Sequence, residues 1–297
     1  MKIITPRKPR PTPKRKPHSP LALKIMQFAF GTLGRIFPQW SANLAFHFFT
    51  SPQGRAKHKV SDEILEQANI SDILIGKYML KVYEWGAGDK TVMLVHGWES
   101  RGTALRSFVP QLVEAGYRVV AFDGPAHGDS SGKKADLKVF SGAIKAIYHK
   151  YENVKAIIAH SFGGAATAYA MYQLDASMTI EKFVMIGTPS RISYPVGRAL
   201  DTMNAPTSVR KYFVEKLEKI VGIRLEDLTF KNIGQDLKID KVLVVHDLQD
   251  EEVYFEQAEN TVKYWNKAEL QVTDGFGHFA LMKNPEVIAR VTTFVMD

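Results

Sequence analysis

A serine flanked by small residues stands between a predicted strand and a predicted helix near the middle of the 297-residue chain. The apolar, β-branched run before it is typical of a buried parallel strand, and the alanine-rich stretch after it is typical of a helix. In so tight a turn the residues two before and two after the serine must be small, as Ala159 and Gly163 are. The turn would strain the backbone of Ser161, expose its hydroxyl and place the Phe162 amide at a helix N-terminus. This pattern predicts a nucleophile; the alternative is a helix start that merely closes a turn.

A serine nucleophile needs a base, and histidine is the usual one. After an elbow of this kind the acid and then the histidine follow the serine along the chain. Only His246 and His278 follow Ser161, and His246 precedes the candidate acids. His278 lies in a glycine-rich loop after the last predicted strand, where glycines let the backbone bring an imidazole over the strand ends. We therefore predict that His278 is the general base.

An acid must hold the base in the correct tautomer. Asp247, Asp250, Glu251 and Glu252 cluster just after the predicted strand 242–246. A residue a few positions beyond the strand can turn back toward the base, whereas Asp247 is almost still on the strand. We therefore predict Asp250 as the acid, with Asp247 and Glu251 as alternatives.

The oxyanion of an acyl-transfer reaction needs two hydrogen-bond donors. One is the Phe162 amide, and the other should come from the loop after an earlier strand. The loop His96-Gly97-Trp98 follows the predicted strand 92–95, and its glycine allows the backbone to turn its amides inward. We predict the Trp98 amide as the second donor and its side chain as a pocket wall; the alternative is a purely core tryptophan.

Strands and helices alternate along most of the chain after residue 62, which predicts a parallel sheet covered on both faces. A long connection at about 191–240 interrupts the alternation and contains helix-like pieces, so it is predicted to form a cap over the carboxyl ends of the strands. Residues 73–83 contain strand-like runs, and strands are predicted at 92–96, 117–122, 154–160, 183–186, 242–246 and 270–273. The helices are predicted at 103–114, 135–151, 209–221, 253–265 and 285–294.

The composition limits the possible functions. The chain has no cysteine, which excludes a thiol nucleophile, a disulfide and a cysteine-ligated zinc site. Its net charge of +8 is concentrated at one end, because residues 1–61 hold twelve basic and no acidic residues. Residues 62–297 hold 27 basic and 31 acidic residues, so nucleic-acid binding by this larger part is disfavoured. We predict a basic N-terminal segment, 1–61, and one α/β domain, 62–297.

The N-terminal segment divides into an arm and apolar stretches. Residues 1–20 alternate proline with lysine and arginine, which predicts a disordered or polyproline-like arm. Residues 21–37 have an apolar side on a helical wheel, and a second apolar stretch, 40–49, follows Pro38. Charges and proline interrupt the run, so neither a membrane span nor a signal peptide is predicted. We favour a helix bound to an anionic membrane surface. The alternatives are a helix packed on the body with a solvated tail, and an organelle-targeting sequence.

Over residues 73–296 these motifs together resemble the α/β-hydrolase superfamily. The resemblance rests on the loop at Trp98, the elbow at Ser161, Gly277-His278, and the turn 123–130, which is similar to the D-x-P/R-G-x-G-x-S turn of that superfamily. It implies a mostly parallel sheet with helices on both faces and a short helical cap. The resemblance also implies that the turn 123–130 is structural. A serine at the elbow argues against the dehalogenase and epoxide-hydrolase branches, which use aspartate there.

These observations predict a serine hydrolase that cleaves a carboxylic ester or thioester through an acyl-enzyme, without metal or cofactor. Its partner would be a small acyl ester. The basic N-terminus suggests lipid substrates at an anionic membrane surface, and hence a cytoplasmic protein that also binds membranes peripherally. The alternatives are a peptidase or transacylase with the same three residues, and a catalytically silent scaffold that binds a partner.

Overall fold

The computed structural model of the protein describes residues 3–5, 20–56 and 62–297. The described residues form one eight-stranded sheet, whose strands are β1 (Asn69–Ile75), β2 (Tyr78–Trp85), β3 (Lys90–Val95), β4 (Tyr117–Phe122), β5 (Val154–His160), β6 (Ile180–Ile186), β7 (Ile239–Asp247) and β8 (Ala268–Thr273). The spatial order is β1-β2-β4-β3-β5-β6-β7-β8. Strands β3 to β8 are parallel, and β2 runs antiparallel to both of its neighbours.

Helices connect the strands and cover the sheet. In the described part of the chain they are α1 (Pro20–Ile36), α2 (Pro38–Phe49), α3 (Glu63–Glu66), α4 (Val109–Glu114), α5 (Leu137–Lys150), α6 (Phe162–Tyr169), α7 (Tyr194–Thr202), α8 (Thr207–Val221), α9 (Phe230–Ile233), α10 (Glu256–Tyr264), α11 (Gly277–Ala280) and α12 (Pro285–Met296). Short 3₁₀ segments lie at Gly102–Phe108, Gly234–Asp236 and Leu281–Lys283, and a π-helical turn, Ala170–Leu174, continues α6.

The central strands are buried on both faces. In β3 the side chains of Val92 and Leu94 join one hydrophobic cluster, and those of Met93 and Val95 join another on the opposite face. Successive side chains of a strand point to opposite faces, so a strand covered on both sides must be apolar at every position. The prediction of a mostly parallel sheet with helices on both faces is therefore confirmed.

The predicted helix 103–114 is divided in the structure. Its first half is the 3₁₀ segment Gly102–Phe108, and α4 begins only at Val109. Pro110 explains the division, because proline has no N–H to donate to the preceding turn and is accepted only in the first turn of a helix.

Helices α7, α8 and α9 lie between β6 and β7, in the connection predicted as a cap. Four buried residues at intervals of four form the apolar side of α8: Val209, Phe213, Leu217 and Val221. Helix α2 packs on this side, and the rings of Phe46 and Phe49 lie 5.6 and 5.4 Å from that of Phe213. The N-terminal helices are thus in contact with the cap.

Helix α1 also contacts this region. The Gln27 side chain donates a 3.0 Å hydrogen bond to the carbonyl of Thr202, at the end of α7. A Cβ at Gly34 would lie 2.9 Å from Val209, so glycine permits the close approach of α1 to α8. Nothing in the described part of the chain forms a helix that is both long enough and apolar enough to cross a bilayer.

Ile4, near the start of the chain, pairs with the far edge of the sheet. The Ile4 amide donates to the Val272 carbonyl at 3.1 Å, and the Asp274 amide donates to the Ile4 carbonyl at 2.9 Å. Ile4 is buried. The expectation of an unstructured arm is therefore corrected for residues 3–5, since β8 offers them an unpaired edge and an apolar cluster. Residues 6–19 of the predicted arm lie outside the described residues.

Candidate active site

Ser161 lies between the last residue of β5 and the first residue of α6. Its φ of 52° and ψ of −122° fall outside the regions that residues with a side chain favour. The Ser161 amide donates a 2.8 Å hydrogen bond to the Ile186 carbonyl of the neighbouring strand, which helps to hold this strained conformation. The structure thus contains the strand–serine–helix elbow that the sequence predicts.

Small residues beside the serine permit this turn. A Cβ at Gly163 would lie 2.5 Å from the His96 carbonyl oxygen and 2.7 Å from that of Val95. A Cβ at Gly164 would lie 2.3 Å from the Thr188 hydroxyl. Both contacts are shorter than a real Cβ tolerates, so only glycine lets α6 start this close to the ends of β3 and β6.

Asp250 and His278 are in direct contact. The Nδ1–H of His278 donates to Asp250 Oδ2 at 2.7 Å, and both side chains are buried. The other carboxylate oxygen, Oδ1, accepts from the amides of Glu252 and Val253 at 2.9 and 2.8 Å. Burial by itself would raise the pKa of Asp250, but the hydrogen bond and charge of His278, together with the Val253 amide, hold that pKa below its usual value. Asp250 is therefore suited to stay ionised and to orient the imidazole.

Glycines let the His278 ring come this close to the strand ends. The backbone of Gly277 has a φ of 59°, and that of Gly275 a φ of 89°. Gly187, just after β6, has a φ of 58°, and a Cβ there would lie 3.1 Å from His278 Nδ1. A side chain at Gly187 would displace the imidazole from Asp250.

The side chain of Asp247, one alternative for the acid, accepts hydrogen bonds from the backbone of the segment that leads to His278. Its Oδ2 accepts from the Phe276 amide at 3.0 Å and from the Thr273 hydroxyl at 2.7 Å. Its Oδ1 accepts from the Gly277 amide, also at 3.0 Å. The structure therefore places Asp247 under the loop that carries His278. Glu251, the other alternative, is exposed to solvent.

Two further histidines lie next to this pair. His246, which the order of residues along the chain excluded as the base, has its Nε2 3.5 Å from Asp250 Oδ2, and that nitrogen donates to the Val253 carbonyl at 2.7 Å. His160 donates from Nε2 to the carbonyl of His278 at 2.9 Å. Burial lowers the pKa of both imidazoles, that of His160 to about 3, which favours their neutral forms. Both rings therefore support the loop by hydrogen bonding rather than by charge. The sequence analysis missed His160, although its place beside the elbow serine was a usable signal.

The loop after β3 passes against the elbow. A Cβ at Gly97 would lie 3.2 Å from the Cβ of Ser161. The Trp98 ring packs edge-on against the rings of Phe162, at 5.4 Å, and His127, at 4.8 Å. The structure therefore brings Trp98 and Phe162, the residues predicted to supply the oxyanion donors, close to the elbow, and the Trp98 side chain lines the adjacent cavity.

The turn 123–130 has a structural role. Asp123 Oδ1 accepts from the Gly102 amide at 2.6 Å, and Oδ2 accepts from the Asp129 amide at 2.8 Å and the Tyr83 hydroxyl at 3.0 Å. Burial raises the pKa of Asp123 and also that of Tyr83. These buried hydrogen bonds tie β2, β4 and the 3₁₀ segment together beneath the loop that holds Trp98.

A cavity of about 380 Å³ lies between the elbow and the cap, and both Ser161 and His278 line it. Most of its walls are apolar. Helix α2 contributes Phe48 and Phe49 to them, which the sequence analysis did not anticipate. The other apolar side chains that line it are Trp98, Leu137, Phe162, Ile192, Pro195, Val196, Ala199, Met203, Leu217, Leu225, Val253 and Phe279, with Ala135. The cavity is suited to an apolar group of a substrate.

Known proteins resemble this chain in sequence and in fold. A family model described as serine aminopeptidase, S33, matches residues 86–263, which include Trp98, Ser161 and Asp250. A 2-hydroxy-6-oxononadienedioate/2-hydroxy-6-oxononatrienedioate hydrolase of Escherichia coli K12 is 32% identical over 111 residues, which are 34% of this chain and 37% of that protein. The chain thus spans little more than a third of the length of the curated relatives it matches.

Solved structures share the fold over most of the chain. An esterase from Pyrococcus furiosus superimposes with a TM-score of 0.59 and 20% identity, over 83% of this chain and 96% of that one. A meta-cleavage product hydrolase from Pseudomonas fluorescens IP01 superimposes with a TM-score of 0.53 and 18% identity, over 76% and 96%. At these identities the likeness shows an α/β-hydrolase fold.

Proposed function

Because the chain belongs to the serine aminopeptidase S33 family, within the α/β-hydrolase superfamily, we propose that it is a serine hydrolase that cleaves a carboxylic ester or thioester. The observation that carries this proposal is the 2.7 Å hydrogen bond between Asp250 and His278 beside the strained Ser161. The proposal is supported by the position of these residues, since Ser161 and His278 line the same apolar cavity and Asp250 contacts His278. The chemistry requires no metal or cofactor.

The mechanism follows from how the imidazole is held. Since Nδ1 of His278 is bonded to Asp250, its Nε2 remains to take the proton of the Ser161 hydroxyl. Ser161 Oγ attacks the carbonyl carbon of the substrate, and the leaving alcohol or thiol departs with the proton that His278 returns. His278 then removes a proton from water, which attacks the acyl-enzyme and regenerates the free serine.

The negative charge that forms on the carbonyl oxygen needs donors that are already in place. We assign the backbone amides of Trp98 and Phe162 to this role. The Phe162 amide lies at the N-terminus of α6, where the helix dipole adds a partial positive charge. Gly97 lets the backbone before Trp98 pass against Ser161. Removing one such donor from an enzyme of this kind costs about 10²–10³ in kcat.

An apolar acyl group is the part of the substrate that fits the cavity. The mostly aliphatic and aromatic walls favour a fatty or aryl acyl group. Together with the basic N-terminal segment, this leads us to propose lipid substrates at an anionic membrane surface.

A peptidase is the second candidate. The matching family model carries the name of an aminopeptidase, and Glu252 on the lining of the cavity could pair with the α-ammonium of a peptide. A transacylase would use the same acyl-enzyme but transfer the acyl group to an alcohol rather than to water. A catalytically silent scaffold would leave Ser161 unreactive.

Labelling with a fluorophosphonate separates these possibilities. We expect the wild type to be labelled and to hydrolyse p-nitrophenyl esters of graded chain length, and Ser161→Ala to do neither. Ser71→Ala, on the exposed strand β1, is the matched control and should behave as the wild type. Equal labelling of wild type and Ser161→Ala would disprove the assignment. Faster cleavage of aminoacyl p-nitroanilides than of esters would favour the peptidase.

A further inference from the structure

Helix α1 and the start of α2 expose an unusual number of large apolar side chains. Those that are more than half exposed are Leu21, Ile25, Phe28, Ile36, Phe37 and Trp40, and we call this set the N-terminal apolar face. Phe28 is 73% exposed. So many exposed apolar side chains on two consecutive helices mark a surface that contacts another molecule or a membrane.

The opposite sides of the same helices are packed on the protein. Gln27 is hydrogen-bonded to the Thr202 carbonyl, Gly34 lies against Val209, and α2 stacks its aromatic rings on Phe213. The face is therefore held in a fixed orientation by the cap, and its residues are not simply the unused part of the hydrophobic core.

The charges that helices α1 and α2 themselves carry have one sign. Lys24 and Arg35 are exposed on α1, and eleven positions separate them, which places them within about 20° of each other around the helix. No acidic residue occurs in the first 61 residues, which carry twelve basic ones. An apolar surface bordered by cations is complementary to a bilayer with anionic headgroups.

The face is also connected to the cavity. Helix α2 runs from Pro38 to Phe49, so the helix that exposes Trp40 near its start contributes Phe48 and Phe49 to the cavity wall at its end. Phe48 is itself partly exposed, at the rim of the cavity. A group that leaves the bilayer near α2 would meet apolar side chains from the surface to Ser161.

We propose that the N-terminal apolar face binds an anionic lipid bilayer and that the acyl group of the substrate enters the cavity along α2. The entry of substrate rests on the proposed ester hydrolysis, whereas bilayer binding does not. The helices lie on the surface in this arrangement, with their apolar side chains among the headgroups and upper acyl chains.

Vesicle co-sedimentation of the full chain tests the proposal. We expect binding to phosphatidylcholine vesicles that contain phosphatidylglycerol and weak binding to phosphatidylcholine alone. The variant Ile25→Ser/Phe28→Ser/Trp40→Ser should lose at least about tenfold in binding, because three inserted side chains are removed. The matched control Ile70→Ser/Leu74→Ser/Met79→Ser changes three exposed apolar residues at the β1 edge and should bind as the wild type.

Two further measurements sharpen the test. Lys24→Gln and Arg35→Gln should each weaken binding to the anionic vesicles by about fivefold, and added salt should weaken it further. Brominated acyl chains should quench Trp40 fluorescence, and this contribution should be lost in Trp40→Phe. Trp85 and Trp265 are buried and should not respond. Trp98 lines the cavity, so any quenching that remains in Trp40→Phe reports an acyl chain inside the cavity.

Each outcome decides the proposal. Vesicle binding that the apolar-face variant leaves unchanged would overturn it. An absence of vesicle binding would also overturn it. Self-association that light scattering detects in the wild type but not in the variant would then show that the face joins two copies of the chain. Hydrolysis of a soluble short-chain ester separates the two proposals: vesicle binding without hydrolysis supports docking and contradicts the proposed function, and the reverse result does the opposite.

Discussion

Asp247 and Asp250, three positions apart at the end of β7, hold the same loop at successive residues. Asp247 accepts from the amide of Gly277 at 3.0 Å, and Asp250 accepts from the imidazole of the next residue, His278, at 2.7 Å. One carboxylate thus positions the backbone and the other the side chain. Because both carboxylates come from one rigid strand end, the imidazole is oriented before any substrate binds.

Replacing the acid should reduce turnover without weakening substrate binding. In Asp250→Asn the amide can no longer stabilise the imidazolium or fix its tautomer, and we expect kcat to fall by about 10³–10⁴ with KM little changed. Steady-state kinetics on a soluble ester measure this. The control is Glu251→Gln, which neutralises the exposed neighbouring acid and should stay within about twofold of the wild type. If Glu251→Gln were the slower variant, Asp250 would not be the acid.

Asp247 should act as a positioning residue. Asp247→Ala leaves the Phe276 and Gly277 amides without their acceptor, so we expect kcat and the rate of phosphonate labelling to fall by about 10–100-fold with KM nearly unchanged. Asp247→Asn keeps one acceptor oxygen and should recover part of the loss. Thr273→Val removes only the hydroxyl donor and serves as the control. A loss of thermal stability in Asp247→Ala with unchanged kcat would show a purely structural role.

Substitution by alanine should have opposite effects at Gly163 and at Gly142. Gly163→Ala places a methyl group 2.5 Å from the His96 carbonyl oxygen, so the elbow must shift and labelling of Ser161 should be lost. Gly142→Ala, within α5, meets nothing within 4 Å and should stabilise the protein by about 0.5–1 kcal/mol with labelling intact. Chemical denaturation and phosphonate labelling of both variants give the comparison. A Gly163→Ala variant that is labelled normally would contradict the tight contact at the elbow.

Phe49 should limit the length of the acyl group. Its ring lines the cavity and packs against Phe213, so Phe49→Ala enlarges the apolar space. We expect the ester chain length with the highest kcat/KM to increase, with the site otherwise active. The control is Leu74→Ala, which removes an exposed apolar side chain of β1 outside the cavity. An unchanged chain-length profile in Phe49→Ala would mean that the acyl group does not occupy this part of the cavity.

A neutral His96 should link stability to pH. Its Nδ1–H donates to the Gly97 carbonyl at 2.7 Å, and its Nε2 accepts from the Gly124 amide at 2.9 Å. A second proton on Nε2 would therefore point at the N–H of Gly124 and break that hydrogen bond. Burial lowers the pKa of His96 from 6.5 to about 4. The unfolded chain therefore binds this proton first as the pH falls, and the folded state loses stability below about pH 6.5.

The variant His96→Asn has no titratable group at position 96, so its comparison with the wild type measures the pH-dependent contribution of His96 to stability. The wild type should be the more stable at about pH 7, and its advantage should shrink by about 2 kcal/mol on going to about pH 5. Denaturant unfolding of both proteins at the two pH values gives the difference. A difference that is independent of pH would contradict the assignment.

Local patterns predicted the elements that build the site. Apolar residues at every position predicted strands buried on both faces, and the small residues around Ser161 predicted the tight turn, because both constraints act within a few residues. Only two histidines follow Ser161, and His246 precedes the candidate acids, so the order of residues along the chain singled out His278. The sequence favoured Asp250 over Asp247 as the acid because Asp247 is almost still on the strand. The contact of Asp247 with the Gly277 amide could not be predicted, since it forms only where the chain after β8 meets the end of β7.

The sequence by itself determined the strand–serine–helix turn and the basic character of the first 61 residues, and it predicted the histidine and the acid that would serve the serine. Only the tertiary structure decided that α2 packs on Phe213 and completes the cavity, and that Ile4 pairs with β8. Turn geometry is set by neighbouring residues, so it can be recognised in the sequence. Hydrophobic contact is non-directional, and an apolar side chain can pack against any apolar surface, so the partner of Phe49 is known only once the whole chain has folded.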